Sequence, residues 1–376
     1  MVSSQLQRTT DNGKTTHVYI VQISVQQLTN RKIMKTHRRI FLQMGAGAIV
    51  ATTIHSCTRT SQTQPVSTTA ASTGKTETGK KIIVGYWPIA AGLPLYLALE
   101  KGYFKEVGLD VEGNKSAGAQ QVVEGLLGGR VQGSANGTGS GNLALGEILQ
   151  PGLFKIIASN PSNAKNVLDE IIVAKNSPIK TIADLRGKKV ASGPGPQNQA
   201  LAKGILEKNG IENPQVTQLE IRQQIAAIES GQIDAAYTLE PTGTVGSLKG
   251  ITRTLETGVI AKYILGNPDA PWFGGSATLS TQFIKENPET AKKYIEVYRR
   301  AIKSIRDNPD EARKYLTGYT AIEGDLAKAV PLPAYTMYDE FTASDIKDFQ
   351  QFFDYMADKK VFAKKVEVAS LIYKDA

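Results

Sequence analysis

From residue 82 onward, short runs of β-branched and other apolar residues alternate with stretches of helical period. Candidate strands fall at 82–85, 109–112, 131–134, 154–158, 170–174, 189–192, 215–219, 235–238, 251–255 and 276–280. Candidate helices fall at 94–101, 119–127, 142–149, 197–208, 223–230 and 242–248. This alternation predicts βαβ units and a parallel sheet, an α/β fold. Beyond residue 280 the pattern changes: 281–376 reads as helices only, with Asn287 and Pro288 opening a long one and Asn308 and Pro309 closing it.

The first of these units organises the rest. Ile82, Ile83 and Val84 form a buried-strand run bounded by Gly85, and Pro94 to Lys101 reads as a helix that stops at Gly102. Pro94 suits a first helical turn, where a missing N–H costs nothing. The loop between them, from Tyr86 to Gly92, carries two large aromatics where an α/β sheet places its ligands, outside the carboxyl ends of its strands.

The chain continues Gly102-Tyr-Phe-Lys-Glu-Val-Gly-Leu-Asp-Val111 and then Gln120-Gln-Val-Val-Glu-Gly-Leu-Leu-Gly-Gly129. As a series this resembles the periplasmic solute-binding proteins of ABC transporters of the nitrate/sulfonate/taurine type, the SsuA/THI5-like or NMT1 family. The likeness covers about residues 80–314, and the stretches 179–190 and 228–235 match two further family segments. The resemblance implies a type II periplasmic-binding-protein fold: two lobes with parallel-rich sheets flanked by helices, and a ligand cleft between them. In that fold the chain builds most of one lobe, crosses to a second and returns. The expected division is 81–174 and 277–376 for lobe 1 and 175–276 for lobe 2, with crossings near 174–180 and 271–276.

Ahead of the body lies an appendage, 1–57. Met34 begins like a fresh N-terminus, with a cationic region holding Arg38 and Arg39, an apolar run from Met44 to Ile54, and then Cys57. This reads as a secretory signal peptide, too short for a standard membrane span, and its paired arginines resemble the twin-arginine export motif. Ile54 to Cys57 resembles a lipobox, with His55 departing from the usual residue, so Cys57 is the expected lipid anchor of a lipoprotein. Residues 58–80, rich in Ser, Thr, Gly and Gln, read as a flexible linker.

The appendage also accounts for most of the charge. It holds seven Lys/Arg and one Asp, a net of +6 out of the total +9, so the pI of 9.3 says little about the body. No basic stripe with interleaved aromatics appears, and no nucleic-acid partner is expected. The three histidines, His17, His37 and His55, and the one cysteine, Cys57, all precede the body. The body therefore cannot form a Ser-His-Asp triad, a Cys-His pair, an ordinary zinc site or an internal disulfide. No cofactor and no metal is expected, although a carboxylate-only enzyme is still open.

If two lobes enclose a cleft, loops after strand ends should line it. These loops supply Tyr86, Trp87, Ser116, Asn136, Thr138, Ser159, Asn160, Ser192, Gly193, Gln197, Asn198, Glu240, Trp272 and Phe273 as candidate ligand-binding residues. Aromatic walls with a few polar groups are the usual composition of a small-molecule pocket. Ser192 to Asn198 leads into a helix, so its N–H groups either hold an anionic oxygen or only cap that helix. Asn136 to Gly141 lacks the Gly-Lys-Ser/Thr ending of a nucleotide-binding loop. No cluster of Arg or Lys falls in the expected lining, with Arg222 the nearest, which points away from a small inorganic anion and toward an organic ligand stacked on Trp87 or Tyr86.

Three classes of function then compete. One is the extracytoplasmic, periplasmic receptor of an ABC importer, a monomer that captures a small-molecule solute (sulfonate- or taurine-like, pyrimidine-like or related) by cleft closure and delivers it to the permease's transmembrane subunits. The second is an enzyme on the same fold, THI5-like or menaquinone-pathway-like, disfavoured by a body without His or Cys and by the export signal. The third, a ligand-sensing effector, needs an attached signalling module that the sequence does not show. The resemblance favours the receptor, which is not an enzyme; fold alone would not decide it.

Overall fold

The computed structural model describes residues 5–11, 14–20, 81–136 and 140–375. Arg38, Arg39, Cys57, the linker 58–80 and Thr138 lie outside the described residues. Contacts divide the chain into two units, Met1–Gly74 and Lys75–Ala376. In the first, β1 (Gln5–Asp11) and β2 (Lys14–Ile20) pair antiparallel from Gln5 with Ile20 to Asp11 with Lys14, a pair absent from the sequence reading.

The second unit holds two sheets. One has six strands, ordered β13 (Thr336–Met337), β6 (Phe154–Ser162), β12 (Trp272–Ser280), β5 (Gly133–Ser134), β3 (Ile82–Tyr86), β4 (Val111–Lys115). The other has five, ordered β11 (Thr252–Thr257), β7 (Asp169–Ala174), β10 (Ala235–Leu239), β8 (Val190–Ser192), β9 (Val216–Gln218). All ten expected strands form, within a few residues at their ends.

The apolar runs are continuous because both sheet faces are covered. In the five-stranded sheet Ile171, Val173 and Tyr237 join the main core, while Ile172, Ala191 and Ala236 face a smaller cluster with Ala227, Ile228 and Ile233. The long helix Pro288–Asp307 packs on Leu93–Glu100 through a buried stripe that includes Tyr294, Tyr298 and Ile305.

Three expectations need correction. The sheets are mixed rather than parallel-rich: β3 runs parallel to β4 and β5, and β8 parallel to β9 and β10, but β6, β7, β12 and β13 all pair antiparallel. The region after 280 contains β13, which adds to β6, and Ile372 bridges Ile156. A two-residue strand carries no alternation to detect. Finally, β7 belongs to the five-stranded sheet, between β10 and β11, so the chain leaves the six-stranded sheet at 163–168, before 174–180. It returns ahead of β12, within 264–271. An apolar run of six residues looks the same whichever sheet receives it.

The two crossings run side by side. Asn163 Nδ2 donates to the Asp269 carbonyl at 3.1 Å, and Lys165 pairs with Asp269 at 2.9 Å. Asn163 Oδ1 also accepts the N–H groups of Lys165 and Asn166, fixing the turn where the first crossing starts.

Candidate ligand-binding cleft

The loop after β3 is held from several directions. Asn136, fully buried, accepts the Trp87 N–H on Oδ1 at 2.7 Å and donates from Nδ2 to the Trp87 carbonyl at 2.9 Å. The Tyr96 hydroxyl donates to the carbonyls of Trp87 and Ile89. Burial pushes that hydroxyl well above its ordinary value, so it stays a donor. Gly92 allows this packing: a Cβ there would lie 2.2 Å from Tyr96 Oη and 2.6 Å from Asn136 Nδ2. Farther along, Ala90 donates its N–H to the Glu240 carbonyl at 3.0 Å, across to the other sheet's lobe, and Tyr335 donates its hydroxyl to the Ala90 carbonyl at 2.9 Å.

Two adjoining spaces lie against Trp87. The larger, about 550 Å³, is lined from the first lobe by Trp87, Pro88 and Lys115 to Ala117, and from the second by Glu220, one face of the helix Ile221–Glu229, and Pro241, Thr242, Val245 and Lys249. The smaller is a narrow closed gap where Trp87, Asn142 and Trp272 meet Gln197, Asn198 and Leu239. Trp272 is 2% exposed, its ring lies against Gly274 and Phe352, and its Nε1 has no hydrogen-bond partner among the described residues.

Of the sequence candidates, Trp87, Ser116, Gln197, Asn198 and Trp272 come together here, and a Cβ on Gly193 would lie 3.6 Å from the Trp87 ring. The others are placed elsewhere. Tyr86 packs with Tyr96 and Tyr319 beneath the loop, and Phe273 packs against Phe341 and Phe349. Asn136 spends its amide on the Trp87 main chain. Ser159 donates to the Gly275 carbonyl inside the β6–β12 ladder, and Ser192 to the carbonyl of Gly193. Asn160 is buried against Gly275, with Oδ1 lacking a partner among the described residues. Glu240 turns away from the cleft, toward Glu170 and Thr244.

The loop 192–198 offers fewer donors than its sequence implies. Gly195 gives its N–H to Gln218 Oε1 at 2.9 Å, Pro196 has none, and Asn198 donates to the Pro194 carbonyl. Positive charge comes from elsewhere: Lys115, Arg222 and Lys249 line the larger space, with Glu220 and Glu229, and Arg222 pairs with Glu220 at 2.7 Å. Sequence reasoning named Arg222 and the loop that holds Lys115 but missed Lys249 and the lining face of the helix Ile221–Glu229, because they converge only when the lobes face each other. The end of β9 was the available signal.

Residues 91–312 match the model of the NMT1/THI5 like family, more than half of the chain. The chain belongs to that family. Among its relatives, an Escherichia coli (strain K12) protein named for binding aliphatic sulfonates is 38% identical over 90 residues, 23% of this chain and 28% of that one. A Brucella abortus (strain 2308) protein named a binding protein is 27% identical over 227 residues, 58% of this chain and 64% of that one. The matched stretches thus span less than two thirds of either relative.

Solved structures establish the fold. The periplasmic aliphatic sulphonate binding protein SsuA from Escherichia coli superposes with a TM-score of 0.63 at 20% identity, covering 79% of this chain and 93% of that one. SsuA from Xanthomonas axonopodis pv. citri, bound to MOPS, gives 0.63 at 18% identity over 78% and 98%. The periplasmic nitrate-binding protein NrtA from Synechocystis PCC 6803 gives 0.57 at 14% identity over 75% and 82%. This NMT1/THI5-like chain therefore has the α/β fold of the periplasmic binding proteins. Among its described residues no helix is long and apolar enough to cross a membrane.

Proposed function

We propose that this chain is the extracytoplasmic solute-binding component of an ABC importer, binding a small organic anion between its lobes and handing it unchanged to a permease. The observation that carries the reading is the cleft itself. It takes Trp87 from one lobe and Arg222 and Lys249, beside Glu220 and Glu229, from the other, so one molecule can meet an apolar face and these charged groups only when the lobes are together. Closed and open states then differ in their contacts with ligand, which is what a population shift requires. The two adjacent crossings, 163–168 and 264–271, are the hinge in this reading, and they leave 81–162 and 272–375 as one lobe. Relatives named for aliphatic sulfonates support an anionic head with an apolar tail as the ligand class.

The ligand contacts assigned here are Trp87, Ser116, Gln197, Asn198 and Trp272, with Arg222 and Lys249 added. Export directed by Arg38 and Arg39, and acylation at Cys57, complete the proposal. They predict a precursor trapped by Arg38→Lys with Arg39→Lys, and a lipidated Cys57 at the mature N-terminus by mass spectrometry.

Thermal-shift and calorimetric titration of the purified chain test the binding reading, using alkanesulfonates, taurine, pyrimidines and nitrate. An organic anion should raise the melting temperature, and Arg222→Ala should weaken its binding. Binding of nitrate alone would sink the organic-anion assignment, and chemical turnover of a bound compound would sink the receptor reading.

A further inference from the structure

The cleft has one wall that the strand-end loops do not supply. Thr320 and Ala321, from the C-terminal part of the first lobe, line it together with Thr242 and Val245 of the second-lobe helix Thr242–Leu248. Farther along the same segment, Ala329 and Pro331 share a separate space with Gly243, Thr244 and Leu248 on that helix. The stretch 320–331 therefore straddles a helix of the other lobe, and its leading end, 320–321, is the part that reaches the cleft.

That end is held in place by its own bonds. Leu316 and Ile322, 0% and 1% exposed, root the loop on either side. The Leu316 carbonyl accepts the Thr320 N–H at 3.0 Å and the Thr320 hydroxyl at 2.9 Å, and that hydroxyl accepts the Ile322 N–H at 3.3 Å. Gly318 makes the turn in the left-handed region, at φ +84°. Tyr319 pins the crest: its ring stacks on Tyr96 at 4.5 Å and 12°, and its hydroxyl donates to Glu100 at 2.8 Å. Tyr96 also holds the Trp87 carbonyl, so one pair of stacked tyrosines positions both the aromatic wall and this one.

This wall offers shape rather than charge. The Thr320 hydroxyl is used within its own loop, Ala321 presents only a methyl group, and Ile225, Val245 and Ile251 of the second lobe share the same lining. We infer that Ala321 is a specificity-determining residue, its methyl wall receiving the apolar tail of the ligand and limiting the length of tail that fits. The inference rests on the organic-anion reading of the cleft. A tail lying between Ala321 and Val245 leaves water on both sides and gains with each methylene buried, whereas a larger side chain at 321 fills that space.

Calorimetric titration of the purified full chain with sodium methane-, butane- and octanesulfonate tests this. Affinity in the wild-type chain should rise with tail length, by up to about fourfold for each methylene buried. Ala321→Phe, at an exposed position and so tolerant of change, should lower the ratio of octanesulfonate to methanesulfonate affinity about tenfold or more, the scale on which pocket shape discriminates. Thr317→Phe, exposed on the same loop but outside the cleft lining, should leave that ratio at its wild-type value. Affinities independent of tail length, an unchanged ratio in Ala321→Phe, or an equal fall in Thr317→Phe would overturn the assignment of Ala321 while leaving the cleft reading intact. Absence of binding by all three sulfonates would overturn both.

Discussion

Asn136 clasps Trp87 by its main chain on both sides, at 2.7 Å to the N–H and 2.9 Å to the carbonyl. The aromatic wall of the cleft is thus positioned by the buried amide of Asn136. Asn136→Ala leaves the buried Trp87 N–H without its partner, while the Trp87 carbonyl keeps the Tyr96 hydroxyl and the Ile89 N–H, and should cost about 1–3 kcal/mol of stability. Urea denaturation measures this; a loss under 1 kcal/mol would mean that the loop re-pairs by itself.

Trp87→Ala should act on binding instead. If the ring lies on the ligand, affinity for the cleft ligand falls by about 1–3 kcal/mol, the value of burying a large apolar side chain. Calorimetry with the wild-type ligand decides, and unchanged affinity would remove Trp87 from the site.

Closure about 163–168 and 264–271 should make the chain more compact when ligand binds. Small-angle scattering with a saturating ligand should show a smaller radius of gyration. Equal radii with and without ligand would tell against hinge closure.

Stability should also depend on pH in a defined direction. Burial, opposed in part by the Ile260 N–H, raises the Asp169 carboxyl from 3.8 to about 7, and burial likewise pushes up Glu170 and Glu240. The folded state therefore holds protons that the unfolded chain has released. Stability from these groups is greatest below the unfolded value and declines as pH rises from about 4 through about 7. Asp169→Asn should flatten that decline in melting temperature, and an unaltered slope would exclude Asp169 as its source. Glu340 behaves oppositely. Its hydrogen bonds from Arg306 hold it down at about 2, so its small contribution is present above its ordinary value and is lost as pH falls toward 2.

Much of the secondary structure was legible because it is local. Ile82 to Val84, the helix 119–127 and the helix opened by Pro288 follow from side-chain shape, period and a proline in a first turn. The pairing of β7 was not, since Asp169–Ala174 can join either sheet and only the antiparallel register with β10 and β11 decides it.

The site divides in the same way. The sequence by itself determined that Trp87 stands in a loop at a strand end, that the body holds no His or Cys, and that its segments follow the family order. Only the tertiary structure decided what each polar side chain is occupied with. Asn136, Ser159 and Glu240 look like available ligand groups along the chain, yet their partners are Trp87, Gly275 and Thr244. Conversely Lys115, Arg222 and Lys249, each an ordinary surface charge in sequence, line one space because two lobes bring distant strand ends together. Backbone preference acts over a few residues, whereas hydrogen-bond partners and cleft walls are set by contacts between residues up to a hundred or more positions apart, as Ser159 and Gly275 are.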